Sequence, residues 1–396
     1  MQQAVPATNP EPRRAGPLKG LRFIEFAGIG PLPMCAMMLA DQGADVLRID
    51  RIEPSGLGIA RPTRFDFTNR GRSSVALDLK AKAGIACALD LIAGADGLIE
   101  GFRPGTMERL GLGPDECWLR NPRLVYGRLT GWGQDGPLAH AAGHDLNYIA
   151  LSGALHAIGR AGQPPTPPLN LVGDYAGGSM TLAFGMVCAL MEARSSGKGQ
   201  VVDAGMSDGA ISLLTGLYGL HAAGLHGAER GTNLLDSGAP HYEVYRCADG
   251  LWVSVAPIEE KFRRQLIDRL GLDPATFPDV NDPANWPAAR KLLEDAFASR
   301  TRAEWCALLE GSDACFAPVL SLAEAPDHPH NRQRESFLTI DGTIQPAPAP
   351  RFSRTPQARP IPPKAPGEDS REALGRWGLS TNRIDQLIAD GTVRQL

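Results

Sequence analysis

The chain has 396 residues, 43% hydrophobic, 21% charged and 6% aromatic, which suits a globular chain with room for two domains and excludes disorder, collagen and a small disulfide scaffold. Lys and Arg number 40 against 44 Asp and Glu, a net charge of -4; no overall basic field is available to hold nucleic acid or an anionic membrane, so any polyanion must be met locally. Seven cysteines stand without CxxC or Cys/His metal spacing, the pattern of a reduced intracellular chain with no structural zinc and no metal chemistry.

Residues 1–16 are rich in Pro, Ala and polar side chains. They lack the apolar core of roughly 7–15 residues that a signal peptide carries and read as a flexible tail. Further on, no run reaches the roughly 18 uncharged apolar residues of a membrane helix, so the cytoplasm is the expected location.

Leu21 to Phe26 alternates as a strand, Ala27 to Pro33 is a Gly/Pro loop, Met34 to Gln42 is helical, and Asp45 to Ile49 is a second strand. That is a βαβ unit. Strands at Ser74–Leu79, Gly97–Glu100 and Leu124–Arg128, with a helix at Lys82–Ile92, continue the rhythm of a largely parallel, doubly wound α/β sheet. Tyr175 to Arg194 predicts a long buried helix, Gln200 to Asp203 a strand, and Met206 to Leu225 a second apolar segment. After Gly231 come hairpin-like pieces and short helices, Lys261–Leu270 and Ala288–Ser299, as in a smaller α+β domain. The Pro-rich segment 345–366 cannot build a core element. It delivers a helical tail, Ser370 to Asp390, expected to pack back on the first domain. The expected divisions are 17–205 for the large domain, 206–235 for a linker helix, 236–340 for the small domain and 341–396 for the return.

Gly28-Ile29-Gly30 lies where a dinucleotide fingerprint would, but Pro33 replaces the third glycine, so a nicotinamide reading is weak and a tight turn competes with it. Cations cluster instead at expected strand ends: Arg51, Arg70 and Arg72, Lys80, and Arg103 in Gly101-Phe102-Arg103-Pro104-Gly105. Strand carboxyl ends face the ligand crevice of an open α/β sheet, so shared location favours a phosphorylated adenosine carrier over solvated surface charges.

Three residues are candidates for proton transfer. His144, in Gly143-His144-Asp145-Leu146-Asn147-Tyr148, stands at a loop-to-helix join with a side chain that titrates near working pH; it either moves protons or caps and packs. Asp174 precedes the long helix and is either an acid/base group or an N-cap; a helix start would lower its pKa and burial would raise it. Glu259 opens a helix in the second domain, where serving the helix dipole competes with a functional role.

With those motifs in place the chain resembles the type III CoA-transferase superfamily, and within it the α-methylacyl-CoA racemase subgroup, from about Pro17 to Val393. The likeness rests on Gly20 to Pro31, Gly43 to Arg51, Asp78-Leu79-Lys80, Gly101 to Gly105, Thr130 to Pro137, Gly143-His144-Asp145, Asn170 to Gly178, Ser196 to Gln200 and Asp313 to Pro318. The resemblance implies a Rossmann-like large domain, a small domain and an interlocked homodimer. It implies that His144 and Asp174 are the two acid/base groups, that Glu259 pairs with His144, and that CoA is met by Arg51, Lys80, Arg103, Arg109, Gly143, Asp145 and Tyr148. No cofactor is implied beyond the CoA of the substrate, and no nucleic acid or membrane partner. The segment after Met206 offers leucines where such racemases often carry methionines, which bears on acyl-chain tolerance. The competing functions are CoA transfer with Asp174 as nucleophile, an idle acyl-CoA-binding protein and, weakest, a nicotinamide dehydrogenase.

Overall fold

A computed structural model describes residues 15–54 and 56–396. The tail expected over residues 1–16 lies, up to residue 14, outside the described residues. The chain divides into two compact units, one of residues up to Tyr148 with Asn170–Ser212 and Phe337–Leu396, the other of Ile149–Leu169 and Leu213–Ser336.

In the first unit, β1 (Arg22–Phe26), β2 (Asp45–Asp50), β3 (Ser73–Leu77), β4 (Gly97–Glu100), β5 (Val125–Thr130) and β6 (Val201–Gly205) run parallel in the order β3-β2-β1-β4-β5-β6. The α/β expectation holds. Alternate residues of each strand enter opposite cores, as the two-residue period requires. Ile24, Leu47 and Val75 join the Lys82–Ile92 helix and the C-terminal Leu374, Trp377 and Leu387 on one face. Phe23, Val46, Ile99 and Val125 join the Pro31–Asp41 and Thr181–Ser196 helices on the other. Both faces are covered, as parallel sheets need.

The carboxyl-terminal segment closes this unit. Val393–Arg394 pairs antiparallel with β3, and the Ser370–Arg376 helix packs on the same strand. The Pro-rich approach is stitched on through its carbonyls: Lys364 O accepts from Arg48 at 3.0 Å, Ile361 O from the Gly71 N–H at 3.1 Å and Ala349 O from Gln42 at 3.0 Å. A segment short of N–H donors is held through its acceptors. At its start, Thr343–Pro346 pairs with Phe337–Ile340 as a hairpin.

Several elements depart from expectation. The first helix begins at Pro31, because proline fits the first turn, where the missing N–H has no intrahelical partner. The long helix starts earlier, as wide π-helical turns over Leu171–Met180 leading into Thr181–Ser196. It is half buried rather than buried: Met180, Phe184 and Met191 are exposed. By length and composition alone Leu171–Ser196 could cross a bilayer, but half of its apolar window is packed inside, as in a core helix. The 206–235 segment holds two short helices, Met206–Leu213 and Thr215–Ala222, since Gly209, Gly216 and Gly219 give one long helix little propensity. Ile149–Leu169 groups with the second unit, to which Arg160 is tied by a two-pronged bond to Glu243 at 2.6 and 2.8 Å.

The second unit builds an antiparallel sheet from β7 (Glu243–Arg246), β8 (Trp252–Val255) and β9 (Phe316–Pro318). Its core stacks Tyr245 on Phe297 at 5.1 Å and sets Trp305 edge-on at 5.3 Å, with helices Glu260–Arg269, Trp286–Phe297 and Arg302–Leu309 around it.

Candidate active site

The strand order reverses between β1 and β4, and in an open parallel sheet the crevice outside the carboxyl ends at that point takes the ligand. β1 leads into the Gly28–Gly30 loop and β4 into Gly101–Gly105. Gly30 has φ 65°, and a Cβ there would stand 3.3 Å from Asp174 Oδ2. The loop's glycine therefore admits the Asp174 carboxyl rather than a dinucleotide's pyrophosphate.

Asp174 lies inside the π-helical turns, not at an N-cap, so the capping alternative is overturned; such turns are frequent at functional sites. Asn170 donates its side-chain N–H to Asp174 Oδ2 at 3.3 Å, and the Asp174 backbone N–H donates to Asp145 Oδ2 at 2.7 Å. Burial raises the Asp174 pKa. The Asn170 hydrogen bond opposes that rise, the Asp145 charge adds to it, and a charged His144 works against it. Of the two opposed effects left open by the sequence, burial wins.

His144 sits at the amino end of the Asp145–Ser152 helix, where its carbonyl accepts the Asn147 N–H at 2.8 Å. Its backbone N–H donates to Asn147 Oδ1 at 3.1 Å, and the residue is exposed and close enough to Asp174 for its charge to act on that carboxyl. Asp145 is buried; its Oδ2 braces Asp174 while its Oδ1 has no hydrogen-bond partner among the described residues. The Tyr148 hydroxyl donates to Gly143 O, and its ring meets Trp132 edge-on at 4.8 Å. A Cβ on Gly131 would lie 2.1 Å from that ring, so only glycine lets the two segments approach this closely. Burial pushes the Tyr148 phenol up to about 12, Asp174 adds to the rise, and Arg103 opposes it. Arg103, Tyr148, Asp145, Asp174 and His144 thus share one electrostatic neighbourhood.

The cations divide. Arg51, Lys80, Arg103 and Arg109 are exposed past the carboxyl ends of β2, β3 and β4, with Arg109 Nη2 on Thr106 Oγ1 at 2.9 Å. Arg70 and Arg72, expected in the same cluster, are buried ahead of β3. Arg70 pairs with Asp41 at 2.6 Å, and Arg72 stands 3.1 Å from Glu25. Neither is available to a ligand. Glu259 is the exposed N-cap residue of the Glu260–Arg269 helix, in the second unit, where its carbonyl accepts the Arg263 N–H at 3.0 Å. Sequence reasoning missed the roles of Asn170 and Asp145 as partners of Asp174. Asn170 is four residues before Asp174, a spacing that signals contact only once the helix is known to start at Leu171.

The CoA-transferase family III model matches residues 18–370. The chain belongs to that family. It is 44% identical to an alpha-methylacyl-CoA racemase of Mus musculus, over 95% of this chain and 97% of that protein. It is 31% identical to an acetyl-CoA:oxalate CoA-transferase of Acetobacter aceti, over 88% of this chain and 93% of that one. Among solved structures, a CaiB/BaiF family protein from Brucella suis shares the fold with a TM-score of 0.79 and 23% identity, covering 92% of this chain and 100% of its own. The parallel sheet described above is thus the fold of this CoA-transferase family.

Proposed function

We propose that this family III protein is an α-methylacyl-CoA racemase, interconverting the (R) and (S) forms of 2-methylacyl-CoA by 1,1-proton transfer. The observation that carries the reading is that His144 lies close enough to act electrostatically on a half-buried Asp174 whose pKa is raised. One group removes the α-proton as the thioester becomes a planar enolate, and the other returns a proton to the opposite face. In the (S) to (R) direction neutral His144 is the base and protonated Asp174 the acid, and the roles exchange in reverse. A raised carboxyl pKa suits an acid that must hold and release a proton near neutrality.

The thioester oxygen takes the N–H of Asp145 at the amino end of its helix, where the dipole favours developing negative charge. The exposed Arg51, Lys80, Arg103 and Arg109 meet the phosphates of CoA, and Gly143, Asp145 and Tyr148 line its thiol arm; CoA belongs to the substrate, and no other cofactor is invoked. A homodimer covers the exposed Met180, Phe184 and Met191 of the long helix, a stripe at helical spacing that an isolated chain leaves to water.

Incubation of one enantiomer of a 2-methylacyl-CoA in D₂O, read by NMR for α-deuterium and by chiral analysis after hydrolysis, tests the reading. Exchange with approach to both enantiomers is expected, reduced about 10²–10⁴-fold in both Asp174→Asn and His144→Ala. CoA transfer on addition of a carboxylic acid, without α-exchange, overturns it and makes Asp174 the nucleophile that attacks the thioester carbonyl to form an acyl anhydride and release CoA thiolate.

A further inference from the structure

At the carboxyl end of β5 one guanidinium ties together three segments of the site's rim. Arg128 is 8% exposed. Its Nη2 donates to Glu108 Oε1, its Nη1 donates to Gln134 Oε1 at 2.8 Å, and its Nε lies 3.7 Å from Glu100 Oε1. Each partner belongs to a different ligand-facing segment. Glu100 ends β4, and its Oε2 accepts the Phe102 N–H at 2.7 Å in the loop that delivers Arg103. Glu108 adjoins Arg109 in the Thr106–Arg109 turn. Gln134 belongs to the Gly-rich stretch that leads to Gly143 and Tyr148, and its own N–H is anchored on Asp203 Oδ2 at 3.0 Å. Only a planar fork with five donors serves acceptors in these directions at once; a lysine ammonium is a point charge on a flexible stem.

We infer that Arg128 is a positioning residue for CoA, fixing the distance between the Arg103–Arg109 segment and the Gly-rich stretch while touching no part of the substrate. The inference rests on the acyl-CoA reading above. Its chemical content is specific: the phosphate-bearing part of the substrate is met by Arg103 and Arg109, whose segment one buried arginine sets against the Gly-rich stretch. Loss of the arginine lets the Arg103–Arg109 segment drift and weakens CoA binding, while the Gly-rich stretch keeps its anchor on Asp203 and the proton-transfer pair stays intact, because none of the hydrogen bonds of Asp174, Asp145 or His144 passes through Arg128.

The test measures calorimetric CoA affinity and α-proton exchange for the wild-type protein, Arg128→Met, Arg128→Lys and Glu108→Gln, on 2-methylacyl-CoA and on the truncated 2-methylacyl-pantetheine thioester. Arg128→Met is expected to bind CoA about 10–100-fold more weakly. Its kcat should stay within about threefold, and its kcat/KM on the pantetheine thioester within the same range. Arg128→Lys should recover part of the affinity. Glu108→Gln, at a half-exposed carboxylate, should show a smaller loss with an unchanged melting temperature, and with the lysine variant it carries the test if Arg128→Met does not fold. Equal loss on both substrates, or a fall in kcat, indicates general damage to the site and overturns the inference. Unaltered CoA affinity in the variants overturns it too while the acyl-CoA reading stands. A wild-type protein that binds no CoA overturns that reading and this one with it.

Discussion

Arg51 and Arg103 on one side, and Arg70 and Arg72 on the other, look alike in the sequence: basic residues in polar stretches next to strands of one sheet. The structure gives them opposite fates. Arg70 and Arg72 are enclosed, each against a carboxylate that is also buried, whereas Arg51 and Arg103 make no side-chain hydrogen bond among the described residues and face solvent. A buried charge needs its partner and serves the fold, and an exposed unpaired charge at a strand's carboxyl end stays free for a ligand. Partner and burial, not residue type, separate the two roles.

The largest effect is expected at Arg72. Its guanidinium and the Glu25 carboxyl are both fully buried and 3.1 Å apart without the alignment of a hydrogen bond, while Arg72 Nη1 holds Pro33 O at 2.8 Å. Burial raises the Glu25 pKa, and Arg72 and Arg48 oppose the rise. Arg72→Met leaves Glu25 without its nearest cation and should cost roughly 3–5 kcal/mol, read by denaturant unfolding. The folded Glu25 then holds its proton more tightly still. The loss is accordingly smallest at low pH, where Glu25 is protonated in both states, and grows as pH rises through its folded pKa. Glu25→Gln in the same chain should recover part of it. A loss that does not change with pH would mean that packing, not the stranded charge, sets the cost.

What was legible follows the same division. Strand and helix positions in the first unit came through because period-2 burial and Gly stops are local signals: β2, β4 and the Lys82–Ile92 helix lie within about a residue of expectation. The Thr301–Glu304 capping box that opens the Arg302–Leu309 helix was a readable signal that went unused. The π-helical turns around Asp174 were not readable, because hydrophobic spacing does not distinguish wide turns from α-helical ones. Candidate proton-transfer residues could be named from type and context. Their bracing, Asp145 against the Asp174 N–H, joins segments 29 residues apart and depends on how the chain returns to the crevice. The fate of each arginine was hidden for the same reason: Arg70 finds Asp41 and Gln345, the latter 275 residues away.

Glu100 tests the intermediate case, a buried carboxylate beside a ligand-facing loop. Burial pushes it up to about 7, and the Phe102 N–H and Arg128 oppose the rise. The folded state thus binds the proton more tightly than the unfolded chain, so ionised Glu100 costs stability that is absent below its ordinary 4.5 and complete above about pH 7. Glu100→Gln keeps an acceptor for Phe102 and removes the charge. It should unfold like the wild-type protein near pH 4 and become more stable by up to ~3 kcal/mol at pH 8. Equal stability at both pH values would show that Arg128 already neutralises Glu100.

The smallest expected effect on the fold belongs to Arg103, and there the contrast with Arg72 is sharpest. Arg103→Met removes a side chain that makes no hydrogen bond or ion pair among the described residues, so its melting temperature should stay within about 1 °C of wild type. Its KM for 2-methylacyl-CoA should nevertheless rise about tenfold, because a charge-assisted contact to phosphate is lost, and that rise should shrink as salt screens the exposed charge. The same substitution should leave the pantetheine thioester unaffected, since that molecule ends before the nucleotide. A stability loss comparable to that of Arg72→Met would place Arg103 among the structural cations, and an unchanged KM would remove it from the phosphate contacts; in either case the division between buried, paired arginines and exposed, ligand-facing ones would fail at the residue that states it most plainly.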